Sequence, residues 1–207
     1  ERLKRGERVI ADSCPEATVL FADIVGFTDL STRISATELV ELLSGLMSDF
    51  DRLAQEHGVE KIKTIGDAYM AVAGLPEWRP DHAQAAVRLA LDMLDAAARR
   101  KTRGGKSLRL RIGINSGPVI AGVIGIHKFA YDLWGDTVNV ASRMQSHSEP
   151  GRIQVTEATH SLLGEEYEFE SRGTLDIKGR GAMSTYFIAL DSEDGGAVDE
   201  RLQYAAA

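Results

Sequence analysis

A single cysteine, Cys14, in 207 residues leaves no intrachain disulfide and no cysteine cage for a metal, and makes a reducing compartment the simpler setting. No apolar run approaches the roughly 18 residues of a membrane-spanning helix, and no leader of charged then apolar residues opens the chain. We therefore expect no membrane contact from this segment itself. Positive charge is in deficit: Lys and Arg number 24 against 31 Asp and Glu, a net charge of -7. That balance argues against a dedicated nucleic-acid binder, whose phosphate contacts call for a basic face. It leaves room for a small phosphorylated ligand, which needs only a few local cations. An initiator methionine is also missing, since the chain opens Glu1-Arg2-Leu3-Lys4-Arg5, and we expect a piece of something longer.

With 43% hydrophobic and 27% charged residues, the chain has the composition of one globular domain with flanks, neither disordered nor fibrous. Ala17 to Ala22 is a near-continuous apolar run, the pattern of a strand buried on both faces, and it ends at Asp23-Ile24-Val25-Gly26-Phe27. Ser35 and Glu38 then form a capping-box signal, and Leu39, Leu42, Leu43, Leu46, Phe50 and Leu53 follow at helical spacing up to Gly58. Val59 to Ile65 and Ala68 to Ala73 read as a hairpin about Gly66-Asp67. Pro80-Asp81 opens a second helix lined by Ala85, Leu89, Met93 and Ala96, which gives way to a basic loop from Arg99 to Lys106.

Two strand-like runs follow, Leu108 to Asn115 and Val119 to Ile124, separated by Ser116-Gly117-Pro118. To this point the order is β-α-β-β-α-β, the ferredoxin-like split unit of an α+β fold. A C-terminal α/β extension continues with strands at Phe129 to Leu133 and Arg152 to Val155, and a helix at Thr137 to Ser146 between them. A short helix near Ala158 to Leu163 and strands near Phe169 and at Thr185 to Ala189 close the pattern. Residues 191–207 are polar and aperiodic, and we expect a frayed tail there.

Asp23 ends a buried strand and Asp67 sits in a hairpin turn of the same expected sheet. In a β-α-β-β unit the first and third strands are neighbours, so the two carboxylates can converge on hard divalent cations. Either Asp alone would more readily be read as satisfying a turn. Gly26 and Gly66, where backbone approaches a ligand closely, favour a metal and phosphate site. Asn139 and Arg143, four apart on one helix face, can clamp a sugar oxygen and a phosphate, although an ordinary exposed helix face carries such residues too. Lys63, Arg111 and Lys178 are further cations at or near strand ends, where a solvated role is the default.

Four stretches carry more than periodicity does: Val19-Leu20-Phe21-Ala22-Asp23-Ile24-Val25-Gly26-Phe27-Thr28, Ile62 to Met70, Arg111-Ile112-Gly113-Ile114-Asn115-Ser116-Gly117, and Tyr131 to Met144. Together with a late Ile177-Lys178-Gly179-Arg180-Gly181 segment they resemble, in order and over residues 17–190, the catalytic domain of class III nucleotidyl cyclases. The resemblance implies a domain at 17–190 between a connector at 1–16 and the tail at 191–207, with a sensor or membrane region upstream and the domain itself cytoplasmic.

It also implies an enzyme that converts a nucleoside triphosphate to a 3′,5′-cyclic monophosphate and pyrophosphate with two Mg²⁺ or Mn²⁺ ions. Asp23, Asp67 and the Ile24 backbone carbonyl match the family's metal ligands. Arg143 matches the residue that stabilises charge on the α-phosphate and Asn139 the one that orients the ribose. Arg111, Lys178 and the amides at Gly26, Phe27 and Thr28 match the phosphate contacts, and Lys63 and Asp132 the base-selecting pair. A Lys donor and an Asp acceptor complement adenine N1 and its 6-amino group, whereas guanine reverses both. ATP, not GTP, is the expected substrate. The family builds each site at a dimer interface, and a chain that carries every position implies a homodimer with two sites.

The competing readings are a guanylyl cyclase, a non-catalytic module that only binds nucleotide or dimerises, and a nucleic-acid binder resting on Arg99-Arg100-Lys101-Thr102-Arg103 alone. The five His are scattered and receive no role.

Overall fold

The computed structural model of the chain describes residues 10–102, 104–124, 130–177 and 179–190. In chain order the elements are β1 (Ile10–Ile24), α1 (Phe27–Arg33), α2 (Ala36–His57), β2 (Glu60–Ile65), β3 (Ala68–Ala73), α3 (His82–Arg99) and β4 (Leu110–Ile124). They continue with β5 (Ala130–Trp134), α4 (Asp136–His147), β6 (Arg152–Thr156), α5 (Glu157–Leu163), β7 (Phe169–Ile177) and β8 (Gly181–Ile188). The fold is mixed α+β, on one sheet of order β2-β3-β1-β4-β6-β8-β7, with β5 added to β4. Among the described residues only β4 and β6 pair in parallel, and the first four strands have the ferredoxin-like order expected of the split unit.

Alternation along β1 separates two cores. Leu20, Ala22 and Ile24 face α2 and α3, while Val19 and Phe21 face a smaller cluster that includes Ala141 of α4. That two-sided burial is why the strand reads as an unbroken apolar run. On α2, Ser35 accepts from the Glu38 amide while the Glu38 carboxylate accepts from the Ser35 amide, and Gly58 ends the helix in the left-handed region at φ 63. Between these caps Leu46, Phe50 and Leu53 are buried, and each large apolar side chain so placed contributes about 1.5–3 kcal/mol.

The structure differs from the sequence expectation at three places. β4 is one strand through Ser116-Gly117-Pro118, not two. Its partners on β1 run Cys14↔Val119 and then Ala17↔Gly117, so Pro15 and Glu16 stand opposite Pro118. Two prolines without N–H groups meet where the ladder is already interrupted, and the strand passes through. Second, β1 begins at Ile10, so residues 10–16 of the expected connector are strand. Third, Phe27 to Arg33 forms a helix of its own, and its apolar side is too short to betray it: only Phe27 and Leu30 pack on the core, both partly buried. The tail at 191–207 and the start of the connector, up to residue 9, lie outside the described residues.

Candidate active site

Asp23 stands at the end of β1 beside its β4 partner Arg111. Arg111 Nη2 donates to Asp23 Oδ2 at 2.9 Å, and Gln145 Nε2 of α4 donates to the same oxygen at 3.3 Å. Asp67 lies in the two-residue turn between β2 and β3, where Gly66 takes φ 64. Because β3 pairs antiparallel with β1 through Ala22↔Tyr69, this turn falls next to Asp23. The Asp67 carboxyl is pushed up to about 6, first by burial, then by its hydrogen bond and charge repulsion with Asp23, against the pull of the Asp67 and Ile24 amides.

Two neighbouring carboxylates, one of them made harder to ionise by burial and by the other's charge, form an oxygen donor set that a hard divalent cation relieves. Among the described residues no group of three or more His, Cys, Asp or Glu gathers around them, so a cation here takes its other ligands from backbone, water or substrate. Arg111 Nε is buried and has no partner among the described residues, which leaves one edge of this guanidinium for an anionic oxygen. Just beyond, Gly26 at φ 71 caps α1 without any side-chain hydrogen bond, so the first amides of that helix, including Phe27 and Thr28, are not taken by a side-chain cap.

Lys63 of β2 and Asp132 of β5 meet as an ion pair, Nζ to Oδ2 2.5 Å, across 69 positions of sequence. The Leu133 amide holds the other Asp132 oxygen at 2.8 Å. A donor and an acceptor thus stand side by side in fixed order.

Asn139 and Arg143 are exposed on α4 and line a cavity of about 460 Å³ with Asp136, Ser142, Gly179 and Arg180. Arg180 forms an ion pair with Asp136 across it. The opposite side of the helix lies on the sheet: Ala141, Met144 and Gln145 are buried, and a Cβ on Gly113 of β4 would fall 1.9 Å from the Gln145 nitrogen. Gln145 therefore reaches Asp23 from the sheet side while Arg143, two residues earlier, points the other way. The structure brings Asp23, Asp67 and Arg111 together, joins Lys63 to Asp132, and sets Asn139 and Arg143 apart from the carboxylates. Lys178 lies outside the described residues. Gln145 and the Arg180–Asp136 pair escaped the sequence reading, because no local spacing couples a mid-helix Gln to a carboxylate 122 positions away.

The fold is a mixed α+β domain that sets two carboxylates beside an arginine at one end of the sheet. The family model for the adenylate and guanylate cyclase catalytic domain matches residues 9–190, and the chain belongs to that family. An adenylate cyclase of Mycobacterium bovis is 49% identical over 189 residues, 91% of this chain and 43% of that protein. The chain thus spans less than half the length of this curated relative. The catalytic core of a rhodopsin-guanylyl cyclase with converted specificity, solved in complex with ATPαS, superposes with a TM-score of 0.83 at 43% identity, covering 86% of this chain and 97% of that one. The adenylyl cyclase CyaB from P. aeruginosa gives 0.80 at 30% identity, covering 90% and 99%.

Proposed function

We propose that the chain is an adenylyl cyclase domain that converts ATP to 3′,5′-cyclic AMP and pyrophosphate at sites shared between two copies. The Lys63–Asp132 pair carries the choice of nucleotide. Lys63 donates to adenine N1 and Asp132 accepts from the 6-amino group, while guanine would strand both, a mismatch worth up to about 10⁴ in discrimination. The guanylyl reading has guanylyl cyclases among the relatives behind it, but in the order assigned to this pair the Lys63 donor would face guanine N1–H and the Asp132 acceptor would face O6. That a guanylyl-type relative with converted specificity was solved with ATPαS supports the fold's capacity for either base.

In the reaction the ribose 3′-oxygen attacks the α-phosphorus, the bond to the bridging oxygen of the β-phosphate breaks, and pyrophosphate leaves with that electron pair. The hydroxyl proton passes to solvent, with no side chain assigned as a dedicated base. Asp23, Asp67 and the Ile24 carbonyl would hold two divalent cations, Mg²⁺ or Mn²⁺, which supply Lewis-acid activation of the hydroxyl and neutralise the triphosphate. Asn139 orients the ribose, and Arg143 stabilises charge growing on the α-phosphate. Arg111, Lys178 and the amides at Gly26, Phe27 and Thr28 hold the outer phosphates.

The placement of Arg143 and Asp23 on opposite sides of α4 supports sharing, because one copy presents its carboxylates and Arg111 while the other presents Lys63, Asp132, Asn139, Arg143 and Lys178. Exposed Ile65, Ile120 and Ile124, 52%, 46% and 57% accessible, supply apolar surface for a second copy to cover. No helix among the described residues is long and apolar enough to cross a membrane. We place the domain in the cytoplasm, where ATP is, as the catalytic part of a longer protein whose sensor or membrane region lies upstream. Turnover of ATP and GTP measured side by side with Mn²⁺ tests the nucleotide assignment: ATP should be used faster, and faster GTP use overturns the roles of Lys63 and Asp132.

A further inference from the structure

A buried chain of polar side chains runs through the middle of the molecule without touching any residue of the proposed site. Thr18 of β1 bonds His82 Nδ1 of α3 and Ser116 of β4, each at 2.7 Å. Ser116 meets Thr159 of α5 at 3.0 Å, and Thr159 meets Thr156 of β6 at 3.4 Å. The Thr156 hydroxyl donates to Asn115 Oδ1 of β4 at 2.6 Å, and Asn115 Nδ2 donates to the Thr137 carbonyl in the first turn of α4 at 3.0 Å. All seven side chains, Thr137 included, are at most 6% accessible. Buried polar groups are costly unless paired, and apolar residues of similar shape would fill this space at least as well, so a fully paired chain invites a role other than stability.

Its end at α4 indicates that role. We propose that Asn115 is a positioning residue that fixes the start of α4 and thereby the places of Asn139 and Arg143; the inference rests on the catalytic roles given to those two. Its amide has one workable orientation: a carbonyl only accepts, so the nitrogen must face Thr137 and the oxygen the Thr156 hydroxyl. Thr156 therefore holds Asn115 in register. The same turn is pinned by the Thr137 hydroxyl, which donates to the Pro118 carbonyl at 2.6 Å and sits where a Cβ on Gly117, at φ 155, would meet it at 2.8 Å. From Thr137, at 1.5 Å per residue, Asn139 lies about 3 Å and Arg143 about 9 Å along the axis. A tilt at the anchor grows with that distance, and a misplacement of about 1 Å at a reacting centre costs about 10²-fold. Lys63, Asp132, Asp23 and Asp67 sit on other elements and keep their places.

The test is steady-state kinetics with ATP and Mn²⁺ on Asn115→Asp, which keeps the shape but sets a carboxylate oxygen against the Thr137 carbonyl. A fall in kcat of about 10- to 100-fold is expected, with KM for ATP and the Mn²⁺ dependence unchanged within about twofold, and a thermal melt confirming the folded state. Thr156→Val, which removes the hydroxyl that holds Asn115, should lower kcat in the same way, and Thr156→Ser should retain wild-type kcat. If Asn115→Asp does not fold, the Thr156 pair carries the test alone. Arg143→Ala should itself abolish most of kcat, and adding Asn115→Asp to it should cost far less than the product of the single losses. Unchanged kcat in folded Asn115→Asp, parallel damage to KM and Mn²⁺ dependence, or fully multiplicative losses would overturn the positioning role. Full activity in Arg143→Ala would instead refute the catalytic reading on which it rests.

Discussion

Replacing Lys63 with Glu and Asp132 with Cys together should lower kcat/KM for ATP by about 10³- to 10⁴-fold and move the preference to GTP. The wild-type pair offers a donor and an acceptor 2.5 Å apart, in the order that adenine requires. The exchange supplies an acceptor for guanine N1–H where the ammonium stood and a weak S–H donor for O6 where the carboxylate stood. Lys63→Glu alone should be worse for both nucleotides, since it sets two carboxylates against each other at the former ion pair. Initial rates with each nucleotide at fixed Mn²⁺ measure the switch, and ATP use undiminished in the double variant would show that the base is read elsewhere.

Gly113→Ala should cost about 3 kcal/mol or more of stability and nearly all activity. The added Cβ would fall 1.9 Å from the Gln145 nitrogen and 2.5 Å from its Cα and from the Met144 carbonyl carbon, all backbone atoms that no rotamer change can move. To relieve the clash α4 must lift off β4, carrying Asn139 and Arg143 away and breaking the Gln145 contact to Asp23. For a domain of this length the loss corresponds to a drop of roughly 6–12 °C in Tm, readable by circular dichroism. A wild-type melt and wild-type turnover in Gly113→Ala would show that α4 does not need its close approach to the sheet.

Features with local causes could be read from the sequence. The long helix α2 declared itself through Ser35, Glu38, its leucine stripe and Gly58, and the β2–β3 hairpin through Gly66-Asp67 between two apolar runs. The nearness of Asp23 and Asp67 followed from strand order, which the pairing of β1 with β3 reproduces. What depends on distant partners was hidden. Pro118 looked like a strand break because the irregularity that accommodates it lies on β1, around Pro15. Lys63 was visible as a cation near a strand end, but Asp132 and its pairing with Lys63 came only through likeness to a family, since the two lie 69 positions apart. Asn115 and Gln145 gave no signal at all: one is a polar residue in a strand and the other a polar residue in a helix, and what each touches is set by how α4 lies on the sheet. Gly113, the first of three glycines in β4, was the local hint of that close approach.

The central claim, a cyclase whose sites are assembled from two copies, is tested most directly by mixing two inactive variants. Asp23→Ala loses its carboxylate from one half of the site and Arg143→Ala its guanidinium from the other, so each alone should form almost no cyclic AMP from ATP and Mn²⁺. After subunit exchange half of the dimers combine both, each with one intact site, and cyclic AMP formation should return to about a quarter of the wild-type rate per total protein. No recovery, with exchange verified independently, would contradict shared sites, and substantial activity in either variant alone would contradict the roles of Asp23 and Arg143.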